Sequence, residues 1–203
     1  MGCYCYCKTT SKNWYSERII LIKEVNNFLL QGYFDELKTL VYSSNFPWYY
    51  TNSTVFGEDK KPLDDSFKFF HILWDYNKGL NSEHFQRFSH ILYNIQQHIP
   101  CKELLRMKLN LNPNKGKRKF HAPHQDVVDI HPDGSKTPKP DIKIIILNFS
   151  SCNGATKIKD KEYQSQENKA LIFPNEYEHQ GISQNDTDIR IVLNIAVRWN
   201  LTL

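Results

Sequence analysis

The chain changes texture near its middle. From residue 103 onward, short apolar runs are broken every few residues by Gly, Pro and Asn: ELLRMKLNL, HQDVVDI, DIKIIILNF, ATKI, KALIFP and IRIVLNIAVRW. Runs of this length bounded by turn formers are strand signals. No helical pattern interleaves them, so the spacing predicts an antiparallel sandwich or barrel and argues against βαβ units. Before residue 103 the pattern is mixed. IILIKEVNNFLL (19–30) opens as a buried strand and leads into an amphipathic helix, where Phe34, Leu37, Leu40 and Val41 recur at helical spacing. FPWYY (46–50) and FKFFHILWDY (67–76) carry β-favouring aromatics on either side of a polar loop, GEDKKPLDD. LNSEHFQRFSHILYNIQQHI (80–99) predicts a helix capped by Ser82, with one stripe through Phe85, Phe88, Leu92 and Ile95 and a stop at Pro100. The expected class is mainly β with supporting helices. One domain is expected over 18–203, its first part (18–102) supporting a β core over 103–203, after a flexible Cys-containing tail over 1–17.

Composition narrows this reading only slightly. With 203 residues, 40% of them hydrophobic, the chain is long enough to bury a sizeable core. A formal charge of +4 permits an anionic partner without requiring one. The five cysteines are crowded oddly: Cys3, Cys5 and Cys7 near the start, then Cys101 and Cys152. That is no disulfide framework, and it points to a reducing, cytoplasmic setting. A soft metal on the Cys-x-Cys-x-Cys run is the weaker reading of that tail, because no other ligand is close. No run of about 18 apolar residues is present, so no membrane span is expected. MGCYCYCK lacks the apolar stretch of a signal peptide, and Tyr6 stands where a myristoylation signal prefers Ser or Thr.

The chemistry concentrates in HAPHQD (121–126). His124 and Asp126 are one residue apart in a strand-like stretch, so their side chains share a face. His121 lies beyond Pro123 and points elsewhere, while Asp129 and His131 have the opposite parity. A His-x-Asp pair needs a third ligand to hold a divalent metal. His179, in LIFPNEYEHQG, follows a short buried strand and precedes Gly181, within a hairpin's reach. Two imidazoles and one carboxylate form the facial triad of non-haem iron(II) oxygenases. Arg190 opens the final strand eleven residues later. On the same face as Asn194, it would point into a sandwich interior, where an unpaired cation is costly. A carboxylate suits its guanidinium, and a dicarboxylate cosubstrate would supply one. Against these stand ordinary readings: a surface His–Asp pair, a loop histidine, an arginine on the sheet surface. His71, His84, His90 and His98 read as structural or solvated, and Trp199 as a core or sheet-edge anchor.

With these residues in place, 103–199 resembles the iron(II)/2-oxoglutarate-dependent oxygenases, nearest the prolyl-4-hydroxylase-like branch and its virus- and phage-encoded members. The resemblance rests on HQD (124–126), IIILN (144–148), NGAT (153–156), LIFPNEYEHQG (171–181) and RIVLN (190–194), in matching order and spacing. It implies a double-stranded β-helix, that is, a jelly-roll core. It implies iron(II) on His124, Asp126 and His179, 2-oxoglutarate chelated at its 2-oxo acid end, and Arg190 on its far carboxylate. Dioxygen is then consumed, succinate and carbon dioxide form, and a substrate C–H bond is hydroxylated. Ascorbate is an accessory reductant compatible with this chemistry.

Some positions depart from the family pattern. Ile146 replaces a Tyr that prolyl hydroxylases often carry before LN, and Asn194 is the candidate to replace its contact with the far carboxylate. Asn110 is a further candidate for cosubstrate contact. The family's GG-x-T becomes NGAT, where Asn153 would have to take a left-handed conformation.

Substrate choice is expected in loops: NKGKRK (114–119), with four positive charges beside the metal-binding stretch, and HPDGSKTPKPD (131–141). The first is either a solvated loop or a lid meeting an acidic peptide or a nucleic-acid phosphate. The expected activity is hydroxylation of a peptide or protein side chain, proline first. The alternatives are oxidative dealkylation or hydroxylation of a nucleic-acid base, and a catalytically silent jelly-roll binding module. If the protein is virus-encoded, it is expected in the host cytoplasm.

Overall fold

In the computed structural model the described residues are 22–53 and 66–199. The Cys-containing tail, the GEDKKPLDD loop and the start of IILIKEV lie outside them. The strand candidates of the second half form, HQDVVDI only over its last three residues, with three additions. They are β5 (Glu103–Pro113), β6 (Val128–Ile130), β7 (Lys136–Pro138), β8 (Ile142–Asn148), β9 (Ala155–Ile158), β10 (Lys161–Gln164), β11 (Lys169–Pro174), β12 (His179–Ile182) and β13 (Ile189–Arg198). The first half contributes β1 (Lys23–Val25), α1 (Gln31–Tyr42), β2 (Tyr49–Thr51), β3 (Lys68–Asp75), β4 (Gly79–Leu80), α2 (Phe85–Phe88) and α3 (Ile91–Gln96).

An antiparallel eight-stranded sheet runs β1-β11-β8-β13-β5-β3-β2, with β4 beside β3, and faces a three-stranded sheet, β10-β9-β12. Thus β1 to β4 do more than support the core from outside: they complete its larger sheet. Period-two alternation on β13 explains the layering. Ile191, Leu193, Ile195 and Val197 pack with Phe34, Leu37, Phe88, Ile91 and Ile95 in one core, between sheet and helices. Val192 and Ala196 join Ile144, Ile146, Leu171, Phe173 and Ile158 in a second core, between the two sheets. This is the sandwich of a double-stranded β-helix.

α1 seats its apolar stripe as expected, and the rings of Phe34 and Phe149 stack at 5.4 Å. Its approach is fixed by Asn168, whose side chain accepts from the Leu29 N–H (2.8 Å) and donates to the Leu29 carbonyl (2.9 Å).

The helix expected over 80–99 is broken into α2 and α3. The Ser89 hydroxyl donates to the Gln86 carbonyl at 2.8 Å, and three-residue turns close onto Ser89 and His90. Such side-chain competition for backbone groups is why serine is a poor helix interior residue. The segment 131–141, expected as a loop, is turn and irregular chain apart from Lys136–Pro138, which pairs with β6 in a two-stranded ribbon.

Candidate metal centre

The segment carrying His124 is not a regular strand. It runs beside β12 through two isolated bridges, Phe120 to Ile182 and His124 to His179. At the second, each residue donates its backbone N–H to the other's carbonyl, at 2.9 and 3.0 Å. The two imidazoles therefore stand side by side, centroids 4.5 Å apart. Asp126 follows in a bend that Asn175 pins: its side chain accepts from the Val127 N–H (3.1 Å) and donates to the Val127 carbonyl (2.6 Å). Because Asn175 lies four residues before His179, it ties the two ligand segments together.

One ligand atom from each of His124, Asp126 and His179 lies within 4.8 Å of the others, and among the described residues these three form a group that could hold a metal ion. Each imidazole has its Nδ1 near a backbone carbonyl, His124 with Ala122 (3.1 Å) and His179 with Tyr177 (3.4 Å). A carbonyl can only accept, so Nδ1 carries the proton and Nε2 offers its lone pair. His179 Nε2 is 3.4 Å from Asp126 Oδ2. Burial, reinforced by the neighbouring His179, pushes His124 down to about 4. Burial alone would raise the Asp126 carboxyl, but Arg106 and the two histidines outweigh it and hold it well below the usual range. A neutral His124 imidazole and an ionised Asp126 carboxylate are protonation states that suit a divalent cation.

Behind the ligands is a support that the sequence reading missed. Arg106 Nη2 donates to Asp126 Oδ1 at 2.5 Å, Asn194 Nδ2 donates to Asp126 Oδ2 at 3.0 Å, and Arg106 Nη2 also reaches Asn194 Oδ1 at 3.0 Å. Asn194, expected beside Arg190 at the far carboxylate, thus has both amide atoms engaged at the ligand end. The signal for Arg106 was the alternation on β5, where Arg106, Lys108, Asn110 and Asn112 interleave with Met107, Leu109 and Leu111.

Arg190 is buried, 3% exposed, and its described contact is Nε to Ser165 Oγ at 3.2 Å. Burial lowers it to about 10. It shares the inner face with Asn194, roughly 13 Å along β13 at ~3.3 Å per residue, with Val192 between. Its cross-strand neighbour is Asn112; Asn110 pairs with Val192, one step nearer the ligands, and its buried Oδ1 has no partner. The NGAT motif acts differently from expectation. Asn153 is not left-handed. It is Gly154 that matters, since a Cβ there would lie 2.8 Å from Arg190 Cδ and 3.1 Å from the Ile182 carbonyl. A buried guanidinium with no carboxylate partner among the described residues and a His/Asp/His set further along the cleft fit a metal with a dicarboxylate cosubstrate.

The remaining candidates fall outside this cluster. His121 sits over Gly181, which lies inside β12 and where a Cβ would come within 2.9 Å of the His121 Nδ1. Asp129 pairs with Lys139, and His131 bonds Thr137. In the basic run, Arg118 pairs with Glu162 and Lys115 donates to the Phe67 carbonyl, while the Lys119 N–H donates to the Ser183 hydroxyl and the Lys119 carbonyl accepts from the Ser183 N–H, so this segment is fastened to its surroundings. His71 is structural, between Pro47 and Ser82. Cys101 and Cys152 are free thiols; Cys3, Cys5 and Cys7 lie outside the described residues. Among the described residues, no helix is long and apolar enough to cross a membrane.

No protein-family model and no curated protein matches the sequence. Solved structures do match. A 2OG-Fe(II) oxygenase family oxidoreductase from Burkholderia pseudomallei superposes with a TM-score of 0.62 at 8% identity, over 88% of this chain and 86% of that one. A prolyl hydroxylase from Trichoplax adhaerens, in complex with a hypoxia-inducible-factor peptide fragment, gives 0.58 at 12% identity, over 95% and 96%. The viral collagen prolyl hydroxylase of Paramecium bursaria Chlorella virus-1, a 2-oxoglutarate complex, gives 0.53 at 11%, over 88% and 96%. The chain has the double-stranded β-helix fold of the 2-oxoglutarate- and iron(II)-dependent oxygenases, prolyl hydroxylases among them.

Proposed function

We propose that this protein is an iron(II)- and 2-oxoglutarate-dependent dioxygenase that hydroxylates a side chain of a peptide or protein, a prolyl residue being the first candidate. The observation that carries the reading is the convergence of His124, Asp126 and His179 within 4.8 Å, on a fold shared with such enzymes. His124 and His179 would bind through Nε2, and Asp126 through a carboxylate oxygen. Bound there, iron(II) with 2-oxoglutarate and dioxygen supplies oxidative decarboxylation coupled to C–H hydroxylation.

The protein's own part is geometric and electrostatic. The reciprocal bridge fixes the spacing of the imidazoles, and the Nδ1 contacts fix their tautomers. Arg106 and Asn194 orient Asp126 and keep it ionised. Arg190, held by Ser165 and admitted by Gly154, receives the far carboxylate of 2-oxoglutarate, with Asn110 and Asn112 on the wall beside it. At the ligand end, level with Asn194 and beyond it, the inner-face residues Ile146, Leu171, Ile144 and Phe173 keep water from the cleft.

Succinate release, screened against proline-containing peptide pools and single-stranded oligonucleotide pools, tests the reading. Peptide-stimulated release supports it. Stimulation by oligonucleotides alone would move the activity to nucleic acid, and bound iron without turnover in either pool would leave a silent binding module.

A further inference from the structure

Lys108 is a cation on the inner face whose charge the metal centre does not use. It lies on β5, in register with Asn194 of β13 on one side and Ile72 of β3 on the other. Its side chain therefore leaves the sheet on the same face as Asn194, which holds Asp126. Among the described residues its ammonium has no hydrogen bond and no carboxylate partner; its contact is the face of Phe70, 4.7 Å from the ring centroid. Arg106, one inward-facing step along the same strand, is by contrast committed to Asp126.

The surroundings make that lone charge costly. Burial lowers Lys108 to about 7, with Lys68 and Arg106 adding repulsion and Asp126 working the other way. Lys68 also lowers His124, so two lysines border the ligand cluster on the side of β3. Arg190 lies at the other end of the cleft, four residues along β13 from Asn194. A half-buried ammonium without a counter-ion persists where a ligand brings one, since leaving it unpaired has no structural return.

We propose that Lys108 is a substrate-anchoring residue: it receives a carboxylate of the substrate beside the metal centre, at the end of the cleft opposite Arg190. The proposal rests on the oxygenase reading for what happens to that substrate, and on the Lys108 environment for its charge. A single ammonium backed by a phenyl ring balances one negative charge on a compact group. A polyanionic backbone would need a row of exposed cations, and the row beside this cleft is partly engaged by Glu162 and the Phe67 carbonyl. The carboxylate can belong to a small acid or to a peptide, as its C-terminus or as an acidic side chain.

Ligand-observed NMR on the full chain with zinc(II) and excess 2-oxoglutarate separates these sources. The probes are a pool of small carboxylic acids, a pool of N-acetylated hexapeptides with free C-termini and acidic residues, the same hexapeptides amidated and without acidic residues, and a single-stranded oligonucleotide. Binding of either carboxylate pool, weakened at least tenfold by Lys108→Gln and absent for the amidated pool, is the expected result. Which of the two pools binds names the source. Equal binding of the amidated pool, binding of the oligonucleotide alone, or indifference to Lys108→Gln overturns the proposal. So does a loss of 2-oxoglutarate affinity in Lys108→Gln, which would assign the lysine to the cosubstrate. The visible band of the iron(II)–2-oxoglutarate chelate, read separately, reports on the oxygenase reading alone: it survives if only the lysine assignment fails. Lys108→Arg, which keeps the charge, should restore much of the binding.

Discussion

His124 and His179 face each other across an antiparallel bridge, each donating its backbone N–H to the other's carbonyl at 2.9 and 3.0 Å. Two ligands distant in sequence are thereby spaced by backbone geometry, and their side chains need only adopt ordinary rotamers to converge. Asp126 is the ligand that needs help, and it gets it from Arg106, Asn194 and, through Val127, from Asn175.

Arg106 should matter both to stability and to metal affinity. Removing it leaves a buried carboxylate without its cation, which costs ~3–5 kcal/mol for fully buried pairs. Arg106 is a quarter exposed (25%) against 7% for Asp126, so Arg106→Met should destabilise the metal-free protein by about 2 kcal/mol. Support of this kind is worth ~10–100-fold in metal affinity. Urea unfolding of the metal-free form and an iron(II) titration check the two effects.

Gly154→Ala tests the seat of Arg190. The added methyl would meet Arg190 Cδ at 2.8 Å and the Ile182 carbonyl at 3.1 Å, and the second of these is backbone. Overpacking of this sort costs about 1–3 kcal/mol. The displaced guanidinium should raise the KM for 2-oxoglutarate at least tenfold while iron(II) affinity changes little. Arg190→Leu should raise it further. An unchanged KM in Gly154→Ala would show that the close packing has no bearing on the cosubstrate.

His71 should make the fold acid-sensitive. Its Nδ1 meets the Pro47 carbonyl and its Nε2 the Ser82 hydroxyl, both at 2.7 Å, so the neutral ring is fully satisfied. Burial lowers its folded pKa below the ordinary value of 6.5. The unfolded chain then binds the proton first as pH falls, so the contribution is complete above about 6.5 and is lost on acidification below it, at up to ~1.4 kcal/mol per pH unit. His98 shifts in the same direction. Denaturant midpoints between pH 7.5 and 5 should fall for the natural protein and fall less for His71→Gln.

Phe149→Ala probes the junction of α1 with the larger sheet. Phe149 is fully buried and stacks on Phe34, and such truncations cost about 3–5 kcal/mol. Thermal unfolding should show the loss. Iron(II) affinity of the folded fraction should be unchanged, because this core lies on the opposite face of the sheet from the ligands.

Much of this molecule is legible in its sequence because period-two alternation and short apolar runs are local signals. IIILN and IRIVLNIAVRW announce β8 and β13 directly, and His-x-Asp with a later histidine and arginine announces the site. What stayed hidden depends on partners. β12 is a four-residue strand beginning at His179 whose identity comes from pairing with β9 and with the His124 segment. β10 alternates too weakly to be seen alone. The helix over 80–99 has a good apolar stripe, yet Ser89 finds the Gln86 carbonyl and interrupts it. Arg106, Asn175 and Gly154 act through the groups they touch, which no spacing rule states. Arg106 and Lys108 could have been flagged as charges on the inward parity of a strand inside a sandwich.

The central claim is that His124, Asp126 and His179 hold iron(II) for 2-oxoglutarate. Anaerobic addition of both to the protein should produce the weak visible charge-transfer band of the chelate, and His124→Ala should abolish it. No band in the natural protein, or a band retained in His124→Ala, would contradict the account.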